Sequence, residues 1–574
     1  MKNFRLIAFT LLTLLVSLSL EAQSIERKER EKKDYRDALI TTGAVFSNIQ
    51  LYFIDTISLS KVNDIALNAM LTRLDPYTQY MNEKNAKSFM EATDGAYAGI
   101  GAIISQRDGG KVVVNELLEG LPADKAGLKP GDHFLTIDGK DFSKSTTPEV
   151  SAALRGHEGT DIEVVVQRKK HPQPLTFRFK RKNIAISSVS FAGRLKGNIG
   201  IVRLSSFTRE TGKDLKKELA ALQEKGPLEG LILDLRSNGG GVLQSAVEVL
   251  SYFVPQGTNV VQVRGRIKES NADYRTSAQP IAPDVPLVVL INEESASASE
   301  IVAGALQDVD RAVVMGHKSY GKGLVQSTVP LPKGGLLKLT TAQYFTPSGR
   351  NIQKITYNHF NEQPLEEKAT TTDSLGSPYY TLAGRTVYAA DGILPDLETT
   401  VEKLPAIIGY IAIDTLLTDY IEEYVATQPK PSSATALTLS EEEYGKFSDF
   451  LVKKGFEYKP ASSQMLDRLQ EIFEAEGKAP YTKEQLNALR KVAEPSVATE
   501  LKRYKKEIKN YLEQALALRY FYRRGFFERL IPQDTEVKEA EALLREHDRY
   551  LQILRPQKKK SQEKPKGSLL NQHS

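Results

Sequence analysis

Three serines in a run of small residues, Ser295-Ala296-Ser297-Ala298-Ser299, follow an apolar stretch of strand type (Leu287–Ile291) and open an apolar-periodic helix. A serine at such a passage has its side chain at a strand end and its backbone among the free N–H donors of a helix N-terminus. That setting suits an activated nucleophile beside an anion-stabilising site. The chain contains no cysteine, which excludes thiol nucleophiles, disulfides and cysteine-ligated metals together. Of the seven histidines only His317 is near in sequence; nothing marks a third partner for it, and there is no G-x-S-x-G elbow. The other nearby base is Lys322, flanked by Gly321 and Gly323. A lysine accepts a proton only when neutral, and bringing it from about 10.4 to near 7 takes about 4–5 kcal/mol from desolvation and neighbours. By residue chemistry alone, Ser–Lys catalysis, a His317-dependent esterase and a plain loop cation all remain open.

The elements that must position these groups follow from patterning. From about Ile184 to Asp396 strand-type runs alternate with helical ones, which implies a layered sheet with its ligands beyond the carboxyl ends of the strands. Gly230–Leu235 is a continuous apolar run leading into Arg236-Ser237-Asn238-Gly239-Gly240-Gly241, and a helix resumes over Val242–Tyr252. Two strand-to-helix passages on adjacent strands would form one cleft. Upstream, from about Thr93 to Lys170, short strands are punctuated by glycine turns. There Ala98-Gly99-Ile100-Gly101 lets successive backbone N–H groups converge on an anion. A dinucleotide loop is excluded, because these glycines feed a hairpin and not a helix.

These stretches resemble known families. Ala98–Gly101 together with Ala126-Gly127-Leu128-Lys129-Pro130-Gly131-Asp132 and the Asp138-Gly139 turn resembles a PDZ domain, whose loop captures a peptide's terminal carboxylate beside an added strand. The serine run followed by Glu300, then Tyr320-Gly321-Lys322-Gly323-Leu324-Val325-Gln326, is similar to the active site of the carboxyl-terminal (tail-specific) processing proteases, PDZ-bearing serine peptidases with a Ser–Lys dyad. Leu74–Tyr80, Leu231–Gly241, Phe345–Gln353 and Gly392–Asp396 match further motifs of that family in order. The resemblance implies Ser297 as nucleophile, Lys322 as general base and Gln326 as the residue that orients the lysine. It implies an oxyanion hole from the backbone N–H groups of Gly240 and Ala298, with Gly239 the less favoured alternative, and regulatory roles for Arg155 and Asp308. This chain has Gly239 where the family usually has proline, and His317 where an acidic residue is usual; His317 is read as an ordinary loop histidine.

The implied architecture is multidomain α/β (α+β): a signal peptide (1–22), an N-terminal helical region (23–92), an inserted PDZ domain (93–170; a small β-barrel plus helices), a layered protease core (171–400) and a C-terminal helical region (401–574) with a basic tail. Lys2 and Arg5 precede an apolar segment, Leu6–Leu20, that ends near Ala22, the order of a secretory signal. An exported enzyme in the bacterial periplasm is therefore expected, anchored to the inner membrane if that segment is retained. With 574 residues, 40% hydrophobic and 26% charged, and a mean hydropathy of −0.34, the chain is no polytopic membrane protein. A net charge of +5 without a long basic stripe makes nucleic acid a poor partner. The histidines form no H-E-x-x-H or i,i+4 pair, so no metal and no cofactor is expected. Expected partners are polypeptides bound by their C-terminal tails, with an adaptor protein and self-association through the helical regions as further options. The rival to a PDZ-regulated endopeptidase is a catalytically inactive PDZ scaffold.

Overall fold

The computed structural model describes residues 29–169, 171–354 and 376–555. The signal-like segment and the basic tail lie outside the described residues. The chain divides into two compact units, and the smaller is built on residues up to Ala86 with Ser327–Leu339. Its helix over 29–52 leaves Leu39, Ile40 and Leu51 exposed. The turn expected at Pro76 is organised by its neighbour: buried Asp75 accepts the N–H groups of Tyr77 and Thr78, both at 2.7 Å. Such an Asx turn reverses the chain, and Gln79–Met81 then pairs antiparallel with Leu336–Lys338.

The larger unit begins with the PDZ-like module. Its strands β1 (Ala102–Gln106), β2 (Val112–Leu117), β3 (His133–Ile137), β4 (Asp161–Gln167) and β5 (Leu175–Lys180) lie in chain order in one antiparallel sheet. Two helices, α1 (Pro122–Ala126) and α2 (Thr147–Leu154), close it over a core of Val114, Phe134, Val150, Ile162 and Val164. Helix α2 starts where the sequence places Thr146 before Pro148 and Glu149, and the Glu149 carboxylate accepts the Thr146 N–H at 2.8 Å.

The central sheet runs in the order β6 (Val189–Arg194), β7 (Ile199–Leu204), β8 (Gly230–Asp234), β9 (Leu287–Ile291), β10 (Val313–Gly316) and β11 (Leu397–Glu398). Only the β6–β7 pair is antiparallel. The crossovers include α3 (Thr211–Glu224), α4 (Leu243–Ser251) and α5 (Ala298–Asp308). Because alternate residues of a strand face opposite sides, Leu231, Leu233, Leu287 and Val289 pack under α3–α5, while Ile201, Ile232, Val288, Leu290 and Val313 face the other way. Parallel strands buried on both faces read as continuous apolar runs, which is how β8 and β9 appear in the sequence.

The second face is covered from an unexpected quarter. After the helices Ala406–Ile413 to Val497–Arg503, the chain enters α6 (Lys505–Leu530), and then α7 (Thr535–Arg545) and α8 (His547–Leu554) return to the sheet. Ile531, Val537, Ala540, Leu543, Leu544 and Tyr550 join the cluster on its second face. Helical composition marks the start of the C-terminal region, and long-range packing joins its last part, α7 and α8, to the second face of the sheet. Helix α6 is broken at Phe521 and Tyr522, the latter with φ 56°. There Tyr522 donates to Asp124 Oδ1 (2.8 Å) and Arg523 Nε to Glu116 Oε1 (2.6 Å), gripping the PDZ-like module, which Arg107 also joins to Thr418 (3.0 Å).

Candidate active site

Strand β9 ends at Ile291, and six residues later Ser297 caps α5 with φ 56° and ψ −111°. Such a conformation is strained for a residue with a Cβ and persists only where the surroundings enforce it. The enforcement comes from the other two serines. Ser295 Oγ donates to Leu235 O and Ser299 Oγ to Asn238 O, at 2.9 and 2.8 Å, and both side chains are fully buried. Of the three, Ser297 alone is not buried.

Buried Asn238 ties the glycine loop to the serine run. Its carbonyl accepts the Ala296 N–H at 3.0 Å, and its Nδ2 donates to Leu204 O, also at 3.0 Å. Gly240 has φ 92°, and a Cβ there would stand 2.6 Å from Ala296 O and 2.8 Å from Ala298 N, so only glycine fits this approach. The loop thus lies against the first turn of α5, as expected. One detail differs. The Gly240 N–H, the expected oxyanion donor, already donates to Asn238 Oδ1 at 2.9 Å, because the asparagine side chain folds back over its own loop. The N–H groups of Gly239 and Ala298 have no hydrogen-bond partner among the described residues.

Lys322 sits in the loop after β10. Gly321 and Gly323 let that loop press between two segments: Lys354 N–H donates to Gly321 O at 3.0 Å, and Gly323 N–H to Gln353 Oε1 at 2.7 Å. Ser319 completes the wall through Ile393, whose N–H reaches Ser319 Oγ at 2.6 Å. The distant motifs Phe345–Gln353 and Gly392–Asp396 are therefore the walls of the lysine loop.

One buried carboxylate joins the halves. Glu300 Oε2 accepts the N–H groups of Ser297 (2.8 Å) and Lys322 (2.9 Å), and Oε1 accepts those of Gly321 (2.7 Å) and the Ser319 hydroxyl (2.6 Å). Burial pushes its carboxyl up to about 7, against the pull of these four donors. Sequence reasoning gave Glu300 no role, although its position three residues after Ser297 is the S-x-x-E capping-box spacing. Tyr344, also missed, is buried with its hydroxyl 3.4 Å from Ser297 O, and burial drives its ionisation far upward.

The remaining expected residues are placed as follows. Gln326 Nε2 donates to Thr340 Oγ1 at 3.2 Å. Asp308 ends the 11-residue helix α5, about 16 Å along its axis from Ser297. There it pairs with buried Arg350 at 2.8 Å and accepts the Ser348 N–H at 3.0 Å, a structural anchor far from the serine. Arg155 caps the end of α2, pairs with Glu91 and lies 4.8 Å from the Tyr97 ring. His317 Nε2 is buried without a hydrogen-bond partner among the described residues. In the PDZ-like loop, the carbonyls of Ala98, Ile100 and Gly101 accept from Gly156, Ala123 and Leu118, and Gly99 pairs with Lys182. The N–H groups of Ile100 and Gly101 have no partner among the described residues, and β1 is the sheet's edge strand beside α2. That is the arrangement in which a peptide adds as a strand with its terminal carboxylate at the loop. Among the described residues no cluster of His, Cys, Asp or Glu could hold a metal ion, and no helix is long and apolar enough to cross a membrane.

Comparison with known proteins agrees with this layout. Residues 198–359 match peptidase family S41, 113–168 a PDZ domain, and 407–544 the C-terminal helical domain of a probable PDZ-protease. The chain is 38% identical over 357 residues to the carboxy-terminal-processing protease of Bartonella bacilliformis, spanning 61% of this chain and 81% of that protein. The chain belongs to peptidase family S41. This S41 peptidase is also 35% identical to the carboxy-terminal processing protease CtpB of Bacillus subtilis, over 53% of this chain and 63% of CtpB. Among solved structures it resembles a photosystem II D1 C-terminal processing protease at 28% identity, covering 62% of this chain and 86% of that one, with a TM-score of 0.33. It is a serine-type, PDZ-containing peptidase of the carboxy-terminal processing class, and its substrates are polypeptides.

Proposed function

We propose that this S41 peptidase cleaves polypeptides, captured by their C-terminal tails, through a Ser297–Lys322 dyad and an acyl-enzyme. The carrying observation is the single oxygen of Glu300 that receives both the Ser297 and the Lys322 backbone N–H. It ties the strained serine to the lysine loop across a separation that neither element spans alone. In this reading neutral Lys322 takes the Ser297 hydroxyl proton as Oγ attacks the scissile carbonyl, and returns it to the leaving amine. The Ala298 N–H holds the oxyanion with the loop donor at Gly240, which exchanges its bond to Asn238 Oδ1 for the substrate oxygen. Gln326 steadies the lysine from its strand. Arg155, between Glu91 and Tyr97 at the end of α2, reports an occupied groove to the active site. The charged start and apolar Leu6–Leu20 support export to the bacterial periplasm, and the exposed apolar side chains of helix 29–52 support self-association.

The test is hydrolysis of a tail peptide by the purified chain, with intact-mass detection of the acyl-enzyme. Covalent adduct on wild type, with no turnover in Ser297→Ala and Lys322→Ala and normal turnover in His317→Ala, is the expected result. Activity that survives Lys322→Ala but not His317→Ala would replace the dyad with histidine chemistry. No turnover by wild type on any tail peptide would favour the scaffold.

A further inference from the structure

The glycine loop leaves β8 through Asp234-Leu235-Arg236, and Arg236 is held more fully than packing requires. Its backbone N–H and Nε both donate to Asp234 Oδ1 at 3.0 Å, and Nη2 donates to Asp234 Oδ2 at 2.8 Å. The outer edge of the guanidinium faces the start of α7. There Nη2 reaches Asp534 Oδ2 at 2.9 Å, while Nη1 reaches Asp534 Oδ1 at 3.2 Å and Glu536 Oε2 at 2.6 Å. All five guanidinium N–H donors are thereby engaged. Asp234 is fully buried, with Arg203 as a second cation at 2.7 Å. Asp534 also caps α7 by accepting the Val537 N–H at 3.1 Å, and Glu536 Oε1 accepts the Thr399 hydroxyl at 2.6 Å.

Apolar side chains of α7 and α8 already pack on the sheet, and replacing a buried ion network by hydrophobic residues is often neutral or stabilising. What the network adds is geometry. A planar, fork-shaped cation gripped on both edges has one orientation, and its own backbone leads directly into Ser237 (φ 58°) and the donor residues Asn238–Gly240. We infer that Asp534 and Glu536 are positioning residues for acyl transfer: they fix Arg236, and through it the loop that meets the oxyanion. The C-terminal region, which the sequence leaves without chemistry, thus completes the active site from the far end of the chain. The inference rests on the reading of Ser297 as nucleophile and of the Gly239–Gly240 loop as its oxyanion partner.

The experiment compares full-length wild type, the double variant Asp534→Asn/Glu536→Gln, Arg236→Lys and Leu544→Ala with a tail peptide, measuring kcat, KM and Tm for each. Leu544 packs in the same layer, against Gly230, and takes no part in the hydrogen-bonded clamp, so its truncation reports a loosened layer alone. The expected result is a fall in kcat of about 10²-fold for the double variant and for Arg236→Lys, with KM within about twofold, the signature of donors misplaced only for the transition state. Leu544→Ala should lower Tm with kcat retained. Unchanged kcat in the clamp variants, or a loss in Leu544→Ala that matches theirs at equal Tm, overturns the inference. Ser297→Ala run in parallel separates the two readings: if it still cleaves, the dyad fails, and if it is dead while the clamp variants are normal, only the clamp fails.

Discussion

The two ends of α5 carry two buried carboxylates with opposite environments. At its C-terminus Asp308 faces a cation, Arg350, with both side chains fully buried. At its N-terminus Glu300 is as buried but receives only neutral donors, three backbone N–H groups and a hydroxyl, drawn from two loops. The difference teaches how one helix can both anchor and organise. The carboxylate of Asp308 gathers the single segment Thr346–Arg350 around its ion pair, whereas Glu300, ringed by neutral donors, joins the serine turn to the lysine loop and has its own ionisation poised at about 7.

The sharpest break lies at the N-terminal end. Replacing Ser297 by Ala should cost peptide hydrolysis at least about 10⁴-fold while leaving the melting temperature unaltered, because Ser295 and Ser299 still hold the turn. At the other end Asp308→Asn strands Arg350 without its charge partner and should cost about 3–5 kcal/mol of stability. Urea denaturation would show that loss, and kcat per folded molecule should stay near wild type. A comparable drop in kcat would mean that Asp308 acts on the reaction after all. Glu300 should respond to pH. Its folded pKa, about 7, lies above the 4.5 of the unfolded chain. Between those values the native state holds more protons than the unfolded one, so stability should fall as pH rises through the window, by about 3 kcal/mol in all. Glu300→Gln should flatten that slope between pH 5 and 8 and lower kcat about 10²-fold through misplacement of the lysine loop; a slope as steep as wild type would assign it to other groups. The smallest effect belongs to Gln326→Ala, which removes one neutral hydrogen bond, about 1 kcal/mol or fivefold in kcat.

The sequence carried the order of elements well, since β8 and β9 are continuous apolar runs and α5 follows a small-residue turn. The choice of Ser297 came from family spacing; what sets it apart physically is that Ser295 and Ser299 are buried against the backbone of Leu235 and Asn238, in the loop after β8. No local pattern could reveal that. Glu300 was half visible: its spacing from Ser297 marks a helix start, but its bonds to Gly321 and Lys322 arise only once β10 folds alongside β9. Asp308 illustrates the reverse: a family motif drew attention to it, but no local pattern announced its ion pair with Arg350, 42 positions further along the chain. Gly240 does lie beside Ala298, yet the reach of the Asn238 side chain over its N–H depends on loop conformation. Helical periodicity after residue 400 was legible. The sheet face that α7 and α8 would cover was not, because an apolar stripe does not name its partner.

That last feature has a consequence in time. A nascent chain emerges from its N-terminus, and folding units form as they emerge. Until the segment beyond Leu530 is made, Ile201, Ile232, Val288 and Val313 lack the buried side chains that Ile531 to Tyr550 supply, with only partly buried neighbours such as Phe191 and Phe527 on that side of the sheet. A chain broken off before that point has Ser297, Lys322 and the glycine loop but neither Asp534 nor Glu536, and one face of its sheet lacks these side chains. Completion of the sheet is thus tied to completion of synthesis, and a copy truncated before Ile531 should be less stable than the full chain, because this apolar face stays in water.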